Sequence, residues 1–257
     1  MKRGQITIFI IVGVAIISVV ILFFLFKSGI VPKIFKKPET DSNTFLHSCM
    51  EDKIKEAVKT ISLQGGHINN PLHKTFKFEN EDFLKNISYL CYTQNYYTPC
   101  INQEPMLIQH LKDEIKDYIF DDVKDCFNEL TLSLEKQDYV VEARYNGFYV
   151  ELIERKIVIK TNSEIILTKG YETSKQENFK IIVPSRFYDL SIVVQEIISQ
   201  EARFCHFEHL GFMLLYPEFE IDKFRTGDLT TIYTVEYRKS KEKFRFAVKS
   251  CVIPPGI

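Results

Sequence analysis

Glycine and proline are scarce, 10 and 9 in 257 residues. Together with a hydrophobic content of 45% this argues against a disordered or collagen-like chain. Acidic residues are missing altogether from the first 38 positions, which carry six cations: Lys2, Arg3, Lys27, Lys33, Lys36 and Lys37. The remainder holds 27 cations against 34 acids, a net −7 hidden beneath a formal charge of −1. A body this acidic, without a basic tract, is unsuited to a phosphate backbone, and no nucleic-acid partner is expected. There is no internal repeat or low-complexity tract. Only one apolar run is long enough to cross a bilayer, which removes multi-span transporters. The sequence also lacks a Gly-x-Ser-x-Gly elbow, a His-Glu-x-x-His helix, a phosphate loop and a dinucleotide fingerprint. No enzymatic activity and no cofactor are expected from its motifs.

The apolar run is ITIFIIVGVAIISVVILFFLF, residues 6–26, which are 21 positions without a charge. A helix of that length, at about 1.5 Å per residue, matches a hydrocarbon core of roughly 30 Å. It is longer than the apolar region of a removable signal, and bulky Phe23–Phe26 stand where small residues would be needed. The reading is a short basic leader (1–5), a transmembrane helix (6–26), a juxtamembrane linker (27–43) and a soluble body. Positive charge on the two flanks does not decide orientation. All six cysteines lie beyond the span, and an even set suits an oxidising compartment. The expected orientation is N-terminus cytoplasmic and body outside, a single-pass protein of the cell membrane. The sequon Asn86-Ile87-Ser88 makes Asn86 a glycosylation candidate.

Lys2-Arg3-Gly4-Gln5 followed at once by the apolar run resembles the class III signal of archaeal type IV pilin-like proteins. The opening RGQITIFIIVG and the later Cys49, Glu56-Ala57 and Leu63-Gln64-Gly65-Gly66 are similar to single-span, largely uncharacterised surface proteins of small-genome archaea. The likeness covers about the first 66 residues, with a looser one near the C-terminus. It implies cleavage between Gly4 and Gln5. In filament-forming pilins the fifth residue after the cut is Glu, whose carboxylate neutralises a neighbour's new α-amino group. Here that position is Phe9. The resemblance therefore implies a monomeric anchor or minor pilin-like subunit, with major-filament assembly in doubt.

Within the body, Met50, Ile54, Ala57, Val58 and Ile61 predict a helix from Ser48 or Cys49 to the Gln64-Gly65-Gly66 stop. A second helix is predicted from Glu104-Pro105, its stripe running from Leu107 through Ile115, Ile119 and Val123 to Leu130. The period then falls to two. Asn146-Gly147 predicts a hairpin between 139–145 and 148–154. Strands are predicted over 156–168 and 179–183, a third helix after Ser185 as N-cap, and a last hairpin of 230–237 with 244–248. The expected fold is α+β, with about three helices and a mainly antiparallel sheet. It is either one domain or a helical part (44–130) beside a sheet-rich part (131–257).

Cys91 and Cys100 bracket the eight residues YTQNYYTP, for which a local disulfide is the simplest reading. Tyr92, Asn95, Tyr96 and Tyr97 would then sit on a rigid tip, either as a contact surface or tucked beneath it as core. Of the 15 pairings six cysteines allow, Cys49 with Cys126 and Cys205 with Cys251 complete the expected set. Cys205, His206 and His209 put three soft ligands into five residues, but four are needed for structural zinc, so no metal is expected. These observations point to a membrane-anchored surface protein with an extracytoplasmic structural or recognition domain. Its expected partners are the lipid bilayer and a protein or envelope component. The alternative is an anchored extracytoplasmic enzyme or ligand receptor whose site is assembled from distant residues.

Overall fold

The computed structural model describes residues 13, 14, 16–18, 20, 41–70, 72–79 and 81–250. Two compact units are distinguished, Met1–Glu39 and Thr40–Ile257. In the first, the six described residues are helical, with Ser18 Oγ donating to Val14 O at 2.9 Å. The expected transmembrane helix is corrected: among the described residues no helix is long and apolar enough to cross a membrane. The rest of 6–26, with Gly4 and Gln5, lies outside the described residues.

The second unit is α+β, but with five described helices and two sheets rather than about three helices on one sheet. Helix α1 (Ser42–Leu63) starts earlier than its apolar row suggests. The Asp41 carboxylate accepts the Thr44 N–H and hydroxyl, capping an otherwise orphaned donor, and Leu46 extends the buried face by a turn. The predicted second helix is two helices, α2 (Leu107–Tyr118) and α3 (Phe120–Glu135). They part at the buried Ile119, whose backbone (φ −96°, ψ 8°) leaves the helical region. The 3.6-residue stripe runs straight through that position and gives no sign of the break.

One sheet is a four-stranded antiparallel set of β4 (Val140–Ile153), β5 (Lys156–Lys169), β6 (Glu172–Glu177) and β7 (Lys180–Pro184). Here the Asn146-Gly147 hairpin is overturned. Tyr145 pairs with Ser163 and Phe148 with Thr161, so the two residues make a β-bulge within one long strand, with Gly147 at φ +99°. The chain turns instead at Glu154-Arg155. Arg155 adopts φ +65°, and its N–H is held by the Asp189 carboxylate at 3.1 Å. A tertiary partner stabilises a turn that its own residues do not announce.

The other sheet, in the order β1 (His73–Phe76), β2 (Lys85–Tyr92), β10 (Lys243–Lys249), β9 (Thr231–Tyr237), β8 (Phe219–Arg225), carries β3 (Ile101–Asn102) beside β2. It is not wholly antiparallel, because β2 and β10 run parallel across the longest sequence gap in the sheet. Helix α4 (Phe187–Phe204) follows Ser185, whose hydroxyl accepts the Phe187 N–H, and buries Leu190, Val194 and Ile197. A short helix α5 (His209–Leu215), with no buried residue, leads to β8.

Candidate functional site

Strand β2 carries the buried Cys91 next to its last residue, Tyr92, and the chain returns through Cys100 into β3. The two are disulfide-bonded with Cα atoms 5.3 Å apart. Between them the loop is braced from inside. Thr93 N–H donates to Lys249 O, and Thr93 Oγ1 takes the Asn95 N–H and pairs with Thr98 Oγ1. Tyr92 is half-buried, edge-on to Tyr89 at 5.0 Å. Asn95 is exposed, and so are Tyr96 (59%) and Tyr97 (74%). Exposed apolar side chains continue past the staple at Ile101 and Met106.

A second disulfide joins Cys49 on α1 to Cys126 on α3, with Cα atoms 6.0 Å apart. Cys205 is disulfide-bonded, while Cys251 lies outside the described residues. The disulfides fit an extracellular or otherwise oxidising environment. A bonded Cys205 is no metal ligand, and the trio it headed is dispersed. His206 is an exposed ring near Glu208 and Lys223, and His209 opens α5. Asn86 lies exposed on β2, its Oδ1 accepting from Thr75 Oγ1 at 2.9 Å.

Close to Cys205 lies a buried polar knot. Tyr233 OH donates to the Glu201 carboxylate, and Lys223 Nζ stands 3.7 Å from the same oxygen. Burial, and then the Glu201 charge, push the Tyr233 hydroxyl far above its ordinary value, so it is a fixed donor.

The described residues that do converge were not singled out by the sequence. Gly65 (φ +78°) and Gly66 (φ +88°) turn the chain away from α1, and His67 is delivered against α2. A Cβ at Gly65 would meet Ser88 O and Cβ at 2.9 Å, so only glycine lets the turn pass β2. Helix α2 presents His110 and Glu114 one turn apart, and Glu104 precedes it. The His67 and His110 ring centroids are 4.2 Å apart. Glu114 Oε1 faces His67 Nδ1 and His110 Nε2, each at 3.7 Å. Glu104 faces the opposite edges, 3.6 Å from His67 Nε2 and 3.8 Å from His110 Nδ1. Glu114 Oε2 accepts the Ile68 N–H, and His110 Nε2 lies 2.9 Å from Gly66 O. Burial raises the Glu114 carboxyl, but the His67 ring, the Ile68 N–H and the His110 ring together outweigh it and hold it below its ordinary value. The one available sequence signal was the i, i+4 spacing of His110 and Glu114, which places both on one helix face.

Two clefts flank these elements. A polar one of about 570 Å³ opens beside His67, His73 and Asn86. An apolar one of about 430 Å³ lies between α1, β7 and α4, lined by Ile54, Val58, Val183 and Phe187 with exposed Lys55 and Lys59. No family model, curated protein or solved structure matches the chain.

Proposed function

We propose that this chain is an extracytoplasmic recognition domain of a cell-surface protein, pilin-like in its N-terminal segment, which contacts a protein or envelope component through the loop 92–99. One observation carries the reading: Tyr96 and Tyr97 stand out from a loop that a disulfide closes. Tyrosine offers large contact area with few rotatable bonds, and the staple removes much of the entropy a free loop would lose on binding. A cell-membrane attachment, with the N-terminus inside and the disulfide-bearing domain outside, belongs to the same proposal. Cleavage between Gly4 and Gln5 would follow from the class III resemblance.

The test is site-specific photo-crosslinking in intact cells. A photoreactive phenylalanine at position 97 should give an adduct of defined mass, and one at Tyr149, exposed on β4, should give none. Adducts at 149 without any at 97 would remove the loop from the reading. Mass spectrometry of the N-terminus decides processing, since an intact Met1 excludes it. Sedimentation of detergent-free lysate decides attachment, since a chain left in the supernatant has none.

The receptor or enzyme alternative has one observation in its favour, the apolar cleft edged by lysines, a shape and charge suited to an amphiphile with an anionic head. Titration with a long-chain fatty acid tests it, and Val58→Asp should abolish any binding found.

A further inference from the structure

Four ionisable side chains meet where the Gly65-Gly66 turn crosses α2, and they are gathered without being bonded to one another. The four distances between the two rings and the two carboxylates are 3.6–3.8 Å. These exceed the usual range for a hydrogen bond. His67 is only 9% exposed, yet its Nε2 has no hydrogen-bond partner among the described residues. A buried ring with an unsatisfied nitrogen is costly, and this nitrogen faces the Glu104 carboxylate at 3.6 Å, on the edge opposite Glu114.

The spacing suits a metal ion. One ligand atom from each of His67, His110 and Glu114 falls within 4.8 Å of the other two. Zinc takes nitrogen and oxygen donors at about 2.0–2.1 Å, which gives a tetrahedral edge of about 3.4 Å. The two 3.7 Å separations need to contract by a few tenths of an ångström, while the two ring nitrogens, within 4.8 Å of each other, must close further.

We propose that His67 Nδ1, His110 Nε2 and Glu114 Oε1 bind a divalent zinc ion, with the Glu104 carboxylate orienting both rings from their far edges. Two imidazoles and one carboxylate are a donor set that zinc accepts, leaving a further position for water or another oxygen. Glu104 supplies the partner that ligating histidines ordinarily have, an acceptor for the second ring N–H. His67 Nε2–H then gains the acceptor it lacks. His110 Nε2 gives up the proton it shares with Gly66 O, because a ligating imidazole nitrogen is deprotonated. The ring proton moves by way of solvent to Nδ1, which faces Glu104, and the carbonyl becomes available to the ion or to its water. The ion would clasp the end of the α1 turn to the first turns of α2, which begins at Leu107, seven positions after Cys100.

The experiment is calorimetric titration of the chelator-stripped full chain with zinc chloride alone. The expected result is one site per chain with Kd of about 1 µM or tighter. His110→Gln and Glu114→Gln should each weaken it about 100-fold, and Glu104→Gln about 10- to 100-fold. A His206→Gln/His209→Gln variant should bind as the parent does. Absence of one-site binding, or unchanged affinity in the His110 variant, overturns the proposal. If a substituted chain fails to fold, zinc K-edge absorption of the parent decides. Two imidazoles with oxygen neighbours are expected, and sulfur or fewer than two imidazoles overturns the site.

Discussion

The two described disulfides close loops of very different length, and that difference has a measurable consequence. Cys49–Cys126 spans 77 positions and Cys91–Cys100 spans nine. If a crosslink acts mainly by restricting the unfolded chain, the longer loop contributes about 4.5 kcal/mol and the shorter about 2.7 kcal/mol at 25 °C. The perturbation is the pair of double variants Cys49→Ala/Cys126→Ala and Cys91→Ala/Cys100→Ala, the second made because Cys91 and Cys100 are both buried and a hydroxyl there would add its own cost. Urea unfolding of the full chain, followed by circular dichroism, gives the loss of each. The long-loop variant should lose more by about 1.8 kcal/mol. It should also lose cooperativity first, since its bond ties α1 to α3. Equal losses, or a long-loop loss below about 1 kcal/mol, would refute the entropic reasoning. Reductant added to the parent should reproduce the sum of the two effects or more, which also bears on the compartment: a domain that depends on these bonds is unsuited to a reducing cytosol.

Three further outcomes are expected. Gly65→Ala should cost about 1–3 kcal/mol more than Gly170→Ala. Both have positive φ, but only Gly65 has backbone within 3 Å of the added carbon, so equal losses in thermal denaturation would remove the close-approach argument. Tyr233→Phe should destabilise the domain by about 1–3 kcal/mol, because the buried Glu201 carboxylate loses its donor and keeps only Lys223; a change under about 0.5 kcal/mol in urea unfolding contradicts this. Asp228 has its carboxyl held well below the usual range by Lys74, then by the Thr226 hydroxyl. A lowered folded value means the contribution is complete above the unfolded value of about 3.9 and lost as pH falls through the folded one. Half exposure limits it to less than about 1 kcal/mol, and Lys74→Met should raise the Asp228 value seen in a carboxylate NMR titration.

The elements legible in the sequence were those whose own residues carry the signal. Helix α4 shows its apolar face at three- and four-residue spacing soon after Ser185, and β9 and β10 flank a charged turn. The failures have a common cause. Asn146-Gly147 has the residues of a tight turn, yet it is a bulge, because β5 continues past Thr161 and pairs with both halves of β4. The real turn depends on Asp189, 34 residues away, and the pairing of β2 with β10 joins segments more than 150 residues apart. Local propensity cannot contain such partners.

The histidine cluster is the extreme case of that rule. His110 and Glu114 are visible as a pair, but a helix face carrying one imidazole and one carboxylate is an ordinary solvated surface until a third group arrives. His67 arrives because two successive residues hold φ near +80° and because the first of them passes Ser88 with no room for a side chain. The sequence does show Gly65-Gly66, and its reading as a helix stop was correct about where α1 ends. What that reading omitted is direction. A glycine pair that only ended a helix could be replaced by one glycine and any polar residue, whereas here each glycine meets a different neighbour, Ser88 for the first and Leu111 of α2 for the second. The second contact sets the next residue against α2, within reach of His110. Substituting Gly66 with alanine should therefore displace His67 from Glu114 more than it shortens α1, and loss of zinc affinity without loss of helical ellipticity would separate the two effects.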